Sequence, residues 1–304
     1  MIFFATSALH VQDIVETEVR AAGGTEVRPT TGGVEFSGSL ETGYTFCLTS
    51  RVSTRLLLGL WEHDDIQSAD ELYDASLQLP WEEWITTVDQ TFQITHTVRN
   101  CPYLRNSKFG AIRVKDAIVD RLREHFDGER PQVDTDESDL TFHLMVDGTH
   151  VAWFVDFSGR GLHRRGYRGG QTDAVMSEYI AAALLYRSPW LKAMQAAEDQ
   201  VPPLFDPFCG SGTIVIEAAL WALGRAPGLV SARNFTFLNL PIHDQERYDT
   251  VIANLREQEE VASKRSIVLY GWDQDPAAVR IAQAAAEQAG VAHVIDFRVK
   301  ALED

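Results

Sequence analysis

Asp206-Pro207-Phe208-Cys209-Gly210-Ser211-Gly212-Thr213 is the stretch on which the fold turns. It follows a short apolar run, Leu204-Phe205, and leads into Thr213 to Leu223, whose apolar spacing predicts a helix. Glycines at 210 and 212 let the backbone turn tightly and approach a ligand closely. The helix start near Thr213 offers free N–H groups to a polar or anionic ligand end. A dinucleotide-binding Gly-x-Gly-x-x-Gly would need glycine where Val215 stands, and a phosphate-binding P-loop would need a lysine after Gly212. Neither is present.

Working outward, the alternation of helix and strand continues. Glu178 to Tyr186 is an Ala/Leu-rich helix, Ile267 to Trp272 a strand, Asp275 to Ala289 a helix and Val294 to Val299 a strand. Such alternation predicts a parallel, doubly wound sheet. The second of its strands ends in Gly271-Trp272-Asp273-Gln274-Asp275. Asp275, standing before Pro276, suits the N-cap of the next helix. Asp273 is then the carboxylate placed to accept both ribose hydroxyls of a nucleoside.

The first sixty residues read strand, helix, strand, strand, helix, strand, the order of a ferredoxin-like split β-α-β unit. Met1 to Ala5 is apolar but has no basic residue before it, and reads as a buried first strand rather than a signal peptide. A second α/β unit follows. It has short helical pieces at Ala69–Leu77 and Pro80–Trp84, a strand at Thr91–Val98, a long helix from Phe109 to Phe126, and a hairpin around Asp147-Gly148. The units expected are 1–62, 63–158 and 159–304.

No apolar run reaches the length of a membrane span. Cys47, Cys101 and Cys209 are odd in number and far apart, which excludes a disulfide framework or a Cys-x-x-Cys zinc site and suits a reducing cytoplasm. Net charge is −17, yet the cations are concentrated. Arg99, Arg105, Lys108, Arg113, Lys115, Arg121 and Arg123 face only Asp116 and Asp120 in their stretch, and Arg160 to Arg168 holds four arginines and no acid. Phosphate binding depends on such local density, although Lys115 beside Asp116 also suits a simple ion pair.

Asp206 to Thr213, continued by Ile216-Glu217-Ala218-Ala219, resembles motif I of class I methyltransferases that modify exocyclic amino groups of RNA. More narrowly, the chain is similar throughout to bacterial 23S rRNA guanine-N2 methyltransferases of the RlmL type. Arg105 to Asp120 resembles their THUMP RNA-binding domain, Leu162 to Arg168 the loop entering their methyltransferase domain, and Arg225-Ala226-Pro227-Gly228 the stretch after the motif I helix. The fold so implied is α/β: ferredoxin-like and THUMP units followed by an incomplete Rossmann-like class I methyltransferase domain. The cofactor implied is S-adenosylmethionine, held by Asp206, Pro207, Cys209, Gly210, Ser211, Gly212 and Thr213 at its methionine end and by Asp273 at its ribose. RNA is the implied partner, gripped by Arg105, Asn106, Ser107, Lys108 and Lys115, with Arg165, Tyr167 and Arg168 near the mouth of the site. No metal is expected.

The sequence departs from the family in three places. Ala174-Val175-Met176-Ser177-Glu178 stands where Ala-Pro-x-Lys-Glu is usual, and Ala301 where an adenine-binding Asp is usual, with Glu303 or Asp304 as substitutes. The Asn/Asp-Pro-Pro-Tyr/Phe loop that steers the target amine does not occur in the 304 residues, so no catalytic residue is assigned. The resulting expectation is an N-terminal fragment, inactive alone and completed by a missing C-terminal half. The rival readings are a non-catalytic THUMP RNA-binding protein and a tRNA amino-group methyltransferase.

Overall fold

The computed structural model describes residues 1–304 except Arg105, Arg160, 169–175, 231–233 and 302–304. The chain opens with β1 (Ile2–Thr6), α1 (Gln12–Ala21), β2 (Thr25–Thr30), β3 (Gly33–Ser37), α2 (Leu40–Thr49) and β4 (Arg55–His63), the ferredoxin-like order. Next come α3 (Ala69–Leu77), a 3-10 turn at Trp81–Glu83, β5 (Phe92–Arg99), α4 (Ser107–His125), β6 (Leu140–Asp147) and β7 (His150–Asp156). The last part holds α5 (Glu178–Arg187), α6 (Pro189–Ala196), β8 (Phe205–Asp206), α7 (Thr213–Ala222), α8 (Gln245–Ser263), β9 (Leu269–Asp273), α9 (Pro276–Gln288) and β10 (Ile295–Val299).

These elements gather into two compact units, each assembled from non-consecutive segments. The first comprises Met1–Phe4, Arg55–Arg160 and Asn234–Asp244. Its strands run in the order β1-β4-β7-β6-β5. β5 and β6 are parallel, from Phe92↔Leu140 to Arg99↔Asp147, and α4 supplies the crossover that a parallel pair requires. β6 and β7 form an antiparallel hairpin closing at Asp147↔His150, where Gly148 takes a φ of +65° that a two-residue turn demands. Trp81 is fully buried, edge-on to Trp61 and Phe142, and its indole N–H donates to the Ser76 carbonyl at 2.7 Å. From the last segment of this unit Phe237 reaches Phe157, with ring centroids 5.0 Å apart.

The second unit comprises Ala5–Thr54, Gly161–Arg233 and Gln245–Asp304. It contains the antiparallel β2–β3 hairpin and the parallel sheet β10-β9-β8. α7 is apolar nearly all round, with Val215, Ile216, Ala218, Ala219, Leu220 and Ala222 buried, the mark of a helix enclosed by its neighbours. Leu269 of β9, Ala285 and Ala286 of α9 and Leu185 of α5 share its core. Asp275 caps α9 as expected, accepting from the Ala277 amide at 2.8 Å, with Pro276 at the first helical position. Two helices, α6 and α8, go beyond the sequence reading. α8 buries only Val251 and Leu255, too few apolar positions to print a helical stripe. Among the described residues no helix is long and apolar enough to cross a membrane.

Candidate functional site

β8 and β9 run parallel, with Asp206 opposite Gly271, so the loops leaving both strands emerge at the same, C-terminal edge. In open parallel sheets this edge is where ligands bind. The loop from 206 to 212 is bound to the end of β9 by two hydrogen bonds. The Cys209 amide donates to the Trp272 carbonyl at 2.8 Å, and the Gly210 amide donates to Asp273 Oδ2 at 2.9 Å. The other oxygen, Oδ1, accepts from the Asp275 amide at 2.9 Å. Among the described residues each carboxylate oxygen of Asp273 accepts one hydrogen bond, and a carboxylate oxygen has room for about two.

Both glycines have left-handed backbone, φ +52° at Gly210 and +76° at Gly212, but their surroundings differ. A Cβ at Gly210 would meet no heavy atom within 4 Å, whereas one at Gly212 would lie 2.9 Å from the Ala282 Cβ of α9. Gly212 therefore serves packing between helices, and Gly210 leaves an open cradle beside the free amides of α7. Asp206 accepts from the Phe208 amide at 3.2 Å. Burial, with a smaller contribution from the neighbouring Asp273 charge, raises its carboxyl above the usual range against that hydrogen bond. Burial also pushes the Cys209 thiol up to about 12, helped by Asp206 and Asp273; it is a packing group and not a nucleophile. Ser211 and Thr213 hydroxyls lie 3.3 Å apart at the start of α7. Pro207 is partly buried in the same turn.

The expected RNA contacts fare unevenly. Two are corrected. Arg165 is 0% exposed; its guanidinium donates to the Arg51 and Leu162 carbonyls and lies 3.3 Å from Glu217 Oε2. Tyr167 is 1% exposed and its hydroxyl donates to Glu217 Oε1 at 3.0 Å. Neither side chain reaches RNA, because the acid of α7 draws both inward. Arg168 is partly covered, pairing with Glu178 at 3.3 Å and with the Met176 carbonyl, and standing 3.5 Å from the Thr213 hydroxyl. Asn106 is exposed and caps α4 by accepting from the Lys108 amide through its side-chain oxygen. Lys108 is exposed. Lys115 pairs with Asp116 at 2.5 Å, the ion pair its position suggested. Arg105 and the side chain of Ser107 lie outside the described residues, as do Arg160, Ala174, Val175, Glu303 and Asp304.

The basic stretch is further reduced by acids, two of them from elsewhere in the chain. Arg113 pairs with Asp70 at 2.7 Å and lies over the Tyr73 ring. Arg121 grips Glu82 through two hydrogen bonds, 2.8 and 2.6 Å, and Arg123 lies 3.6 Å from Asp120. Sequence reasoning gave no role to Glu217, though a carboxylate inside an apolar helix is itself a signal: a buried acid needs a partner.

Three family models match. Residues 2–57 match the RlmL ferredoxin-like domain, 67–156 the THUMP domain, and 165–304 the RMKL-like methyltransferase domain. Among curated proteins, the chain is 38% identical to a ribosomal RNA large subunit methyltransferase K/L of Syntrophotalea carbinolica over 99% of its residues. It is also 38% identical, over its full length, to the protein of that name from Allochromatium vinosum. It spans 41% and 40% of the length of these two relatives. Among solved structures, SMU.472 in its complex with SAH matches all of this chain and 76% of its own, with a TM-score of 0.83 at 27% identity. A "predicted N6-adenine-specific DNA methylase" from Listeria monocytogenes matches all of this chain and 75% of its own, with a TM-score of 0.84 at 29% identity.

Proposed function

We propose that this chain, whose segments belong to the RlmL ferredoxin-like, THUMP and RMKL-like methyltransferase families, works in the S-adenosylmethionine-dependent methylation of ribosomal RNA, at the N2 amino group of a guanine in 23S rRNA. The observation that carries this is the cradle at the C-terminal edge of β8 and β9. There Gly210 leaves open space beside the α7 amides, and the Asp273 carboxylate lies at hydrogen-bond distance from the same loop. The relatives named for rRNA methylation direct the choice of substrate.

The residues fit the cofactor. The first-turn amides of α7 suit its methionine carboxylate, and the free lone pairs of Asp273 suit two ribose hydroxyls. Asp206, Pro207, Cys209, Ser211 and Thr213 shape the wall between them. When bound, S-adenosylmethionine supplies a methyl group already activated on a sulfonium, so the protein's share of the work is chiefly orientation. Residues 63–158 act as the RNA-gripping unit through Lys108 and the Asn106 amide, residues 1–62 precede it, and 159–304 hold the cofactor. A cytoplasmic setting accords with an rRNA substrate.

Calorimetric titration of the chain with S-adenosylhomocysteine tests the cofactor reading; saturable binding is expected, and its absence would overturn it. For the substrate, nucleoside analysis of 23S rRNA from a strain lacking the gene should show one N2-methylguanosine lost. An unchanged content of that nucleoside would overturn the guanine assignment and leave the cofactor reading intact.

A further inference from the structure

One face of α7 carries three residues at helical spacing: Thr213, Glu217 and Trp221. Each meets a cation from another part of the same compact unit. Arg168 Nη2 lies 3.5 Å from the Thr213 hydroxyl. Arg165 and Tyr167 both donate to Glu217. The Arg51 guanidinium lies 4.7 Å above the Trp221 ring and donates to the Arg225 carbonyl, beyond the helix end, at 2.8 Å. Side chains at i, i+4 and i+8 stand one above another on a helix. The helix that begins at the cofactor loop is thus gripped along its length.

The grip is buried. Glu217 and Arg165 are both 0% exposed, and Arg51 is 7% exposed. Arg51 is in turn set by Glu18 of α1, which accepts from the Arg51 amide at 2.8 Å and from the Ser50 hydroxyl at 2.7 Å. The carbonyl of Arg51 accepts from Arg165 at 2.6 Å. The Glu217–Arg165 pair, with Glu18 and Arg51 close by, is therefore held away from water. Such groups cost desolvation free energy, and replacing them with apolar side chains is often neutral or stabilising. Stability alone does not account for them. What they provide is direction: Arg165 has a planar fork and three named acceptors, so it fixes the position of Glu217 along the helix axis as well as across it. Any shift of α7 along its axis moves Gly212, one residue before its start, and with it the amides facing the cradle.

We propose that Glu217 is a positioning residue for the cofactor loop. Held by Arg165 and Tyr167, and through Arg165 by the segment around Arg51, it sets the register of α7 and so the geometry of the amides at its N-terminus. This rests on the cofactor reading above. It makes cofactor affinity depend on residues of the N-terminal segment that lie outside the methyltransferase match.

Titration of the 304-residue chain with S-adenosylhomocysteine, well below its melting temperature, tests this. Tyr167→Phe removes one hydrogen bond to Glu217 with little change of shape and keeps the Arg165 pair, so the protein should stay folded. Its affinity should fall about threefold to tenfold, the span of one hydrogen bond's net contribution. Glu217→Gln should weaken binding at least as much. Leu191→Ala, in the same core but off α7, should lower the melting temperature and leave the affinity of the folded protein within twofold. If Tyr167→Phe and Glu217→Gln bind as the parent does, or if Leu191→Ala weakens binding as much as they do, the positioning role is overturned. If the parent chain itself does not bind, the cofactor reading fails first and is identified as the cause.

Discussion

Gly212 packs directly against Ala282: a Cβ on the glycine would stand 2.9 Å from the alanine Cβ, while two residues earlier Gly210 faces open space. The same residue type thus does two different jobs in one loop.

Alanine substitution should separate them. Gly212→Ala combines a left-handed backbone with a close contact and should cost about 2–4 kcal/mol of stability, visible as a lower melting temperature. Gly210→Ala meets only the backbone penalty, about 1–2 kcal/mol, but places a methyl group in the cradle. It should weaken S-adenosylhomocysteine binding more than tenfold; equal effects of the two variants on stability and affinity would contradict the division.

The His143 imidazole accounts for one pH dependence. It is enclosed between the hydroxyls of Thr95 and Thr97, at 2.8 and 3.1 Å. Burial, with smaller contributions from the Arg55 and His96 charges, pushes it down to about 4, below its ordinary 6.5. Between these values the unfolded chain takes up a proton that the native chain refuses. The stability His143 confers is therefore present above about pH 6.5 and is lost as the pH falls toward 4, up to about 3 kcal/mol in all. Urea unfolding across that window should show a slope that His143→Gln flattens by about one proton.

For RNA, the exposed Lys108 and the paired Arg121 should behave oppositely. Lys108→Ala should weaken binding of an rRNA fragment and reduce the slope of log affinity against log salt by about one. Arg121→Ala should leave both within error and cost about 1 kcal/mol of stability, since its half-buried fork is committed to Glu82. A lower salt slope on losing Arg121 would show the pair to be opened by RNA.

Removing charge from the interior cluster should be felt in stability as well. Arg165→Met leaves buried Glu217 without its hydrogen-bonded cation and should cost about 3–5 kcal/mol; pairing it with Glu217→Met should restore much of that loss, measurable as a double-mutant cycle in chemical denaturation.

The strand, turn and helix around residues 206–213 were readable because their chemistry is local: glycines at left-handed positions and an acid at each strand end state their purpose within a few residues. The N-cap at Asp275 was readable for the same reason. The charge pattern was not. Arg113 and Arg121 are neutralised by Asp70 and Glu82, forty or so residues away along the chain, so a local tally of cations overstated the field offered to phosphate. Arg165 and Tyr167 looked like surface residues of a basic loop, and only the fold brings Glu217 to them. α8 was missed because its helical periodicity is carried by two buried residues, Val251 and Leu255.

The segment Asn234–Asp244 belongs to the first unit, although the chain before and after it belongs to the second. Phe237 from this excursion packs against Phe157 and donates its backbone N–H to the Phe157 carbonyl. On the ribosome, then, the first unit stays unfinished until residue 244 has emerged, by which time much of the second has been made. Nor can one protease cut liberate either unit whole: nicking near residue 160 would leave the halves threaded together by that returning strap.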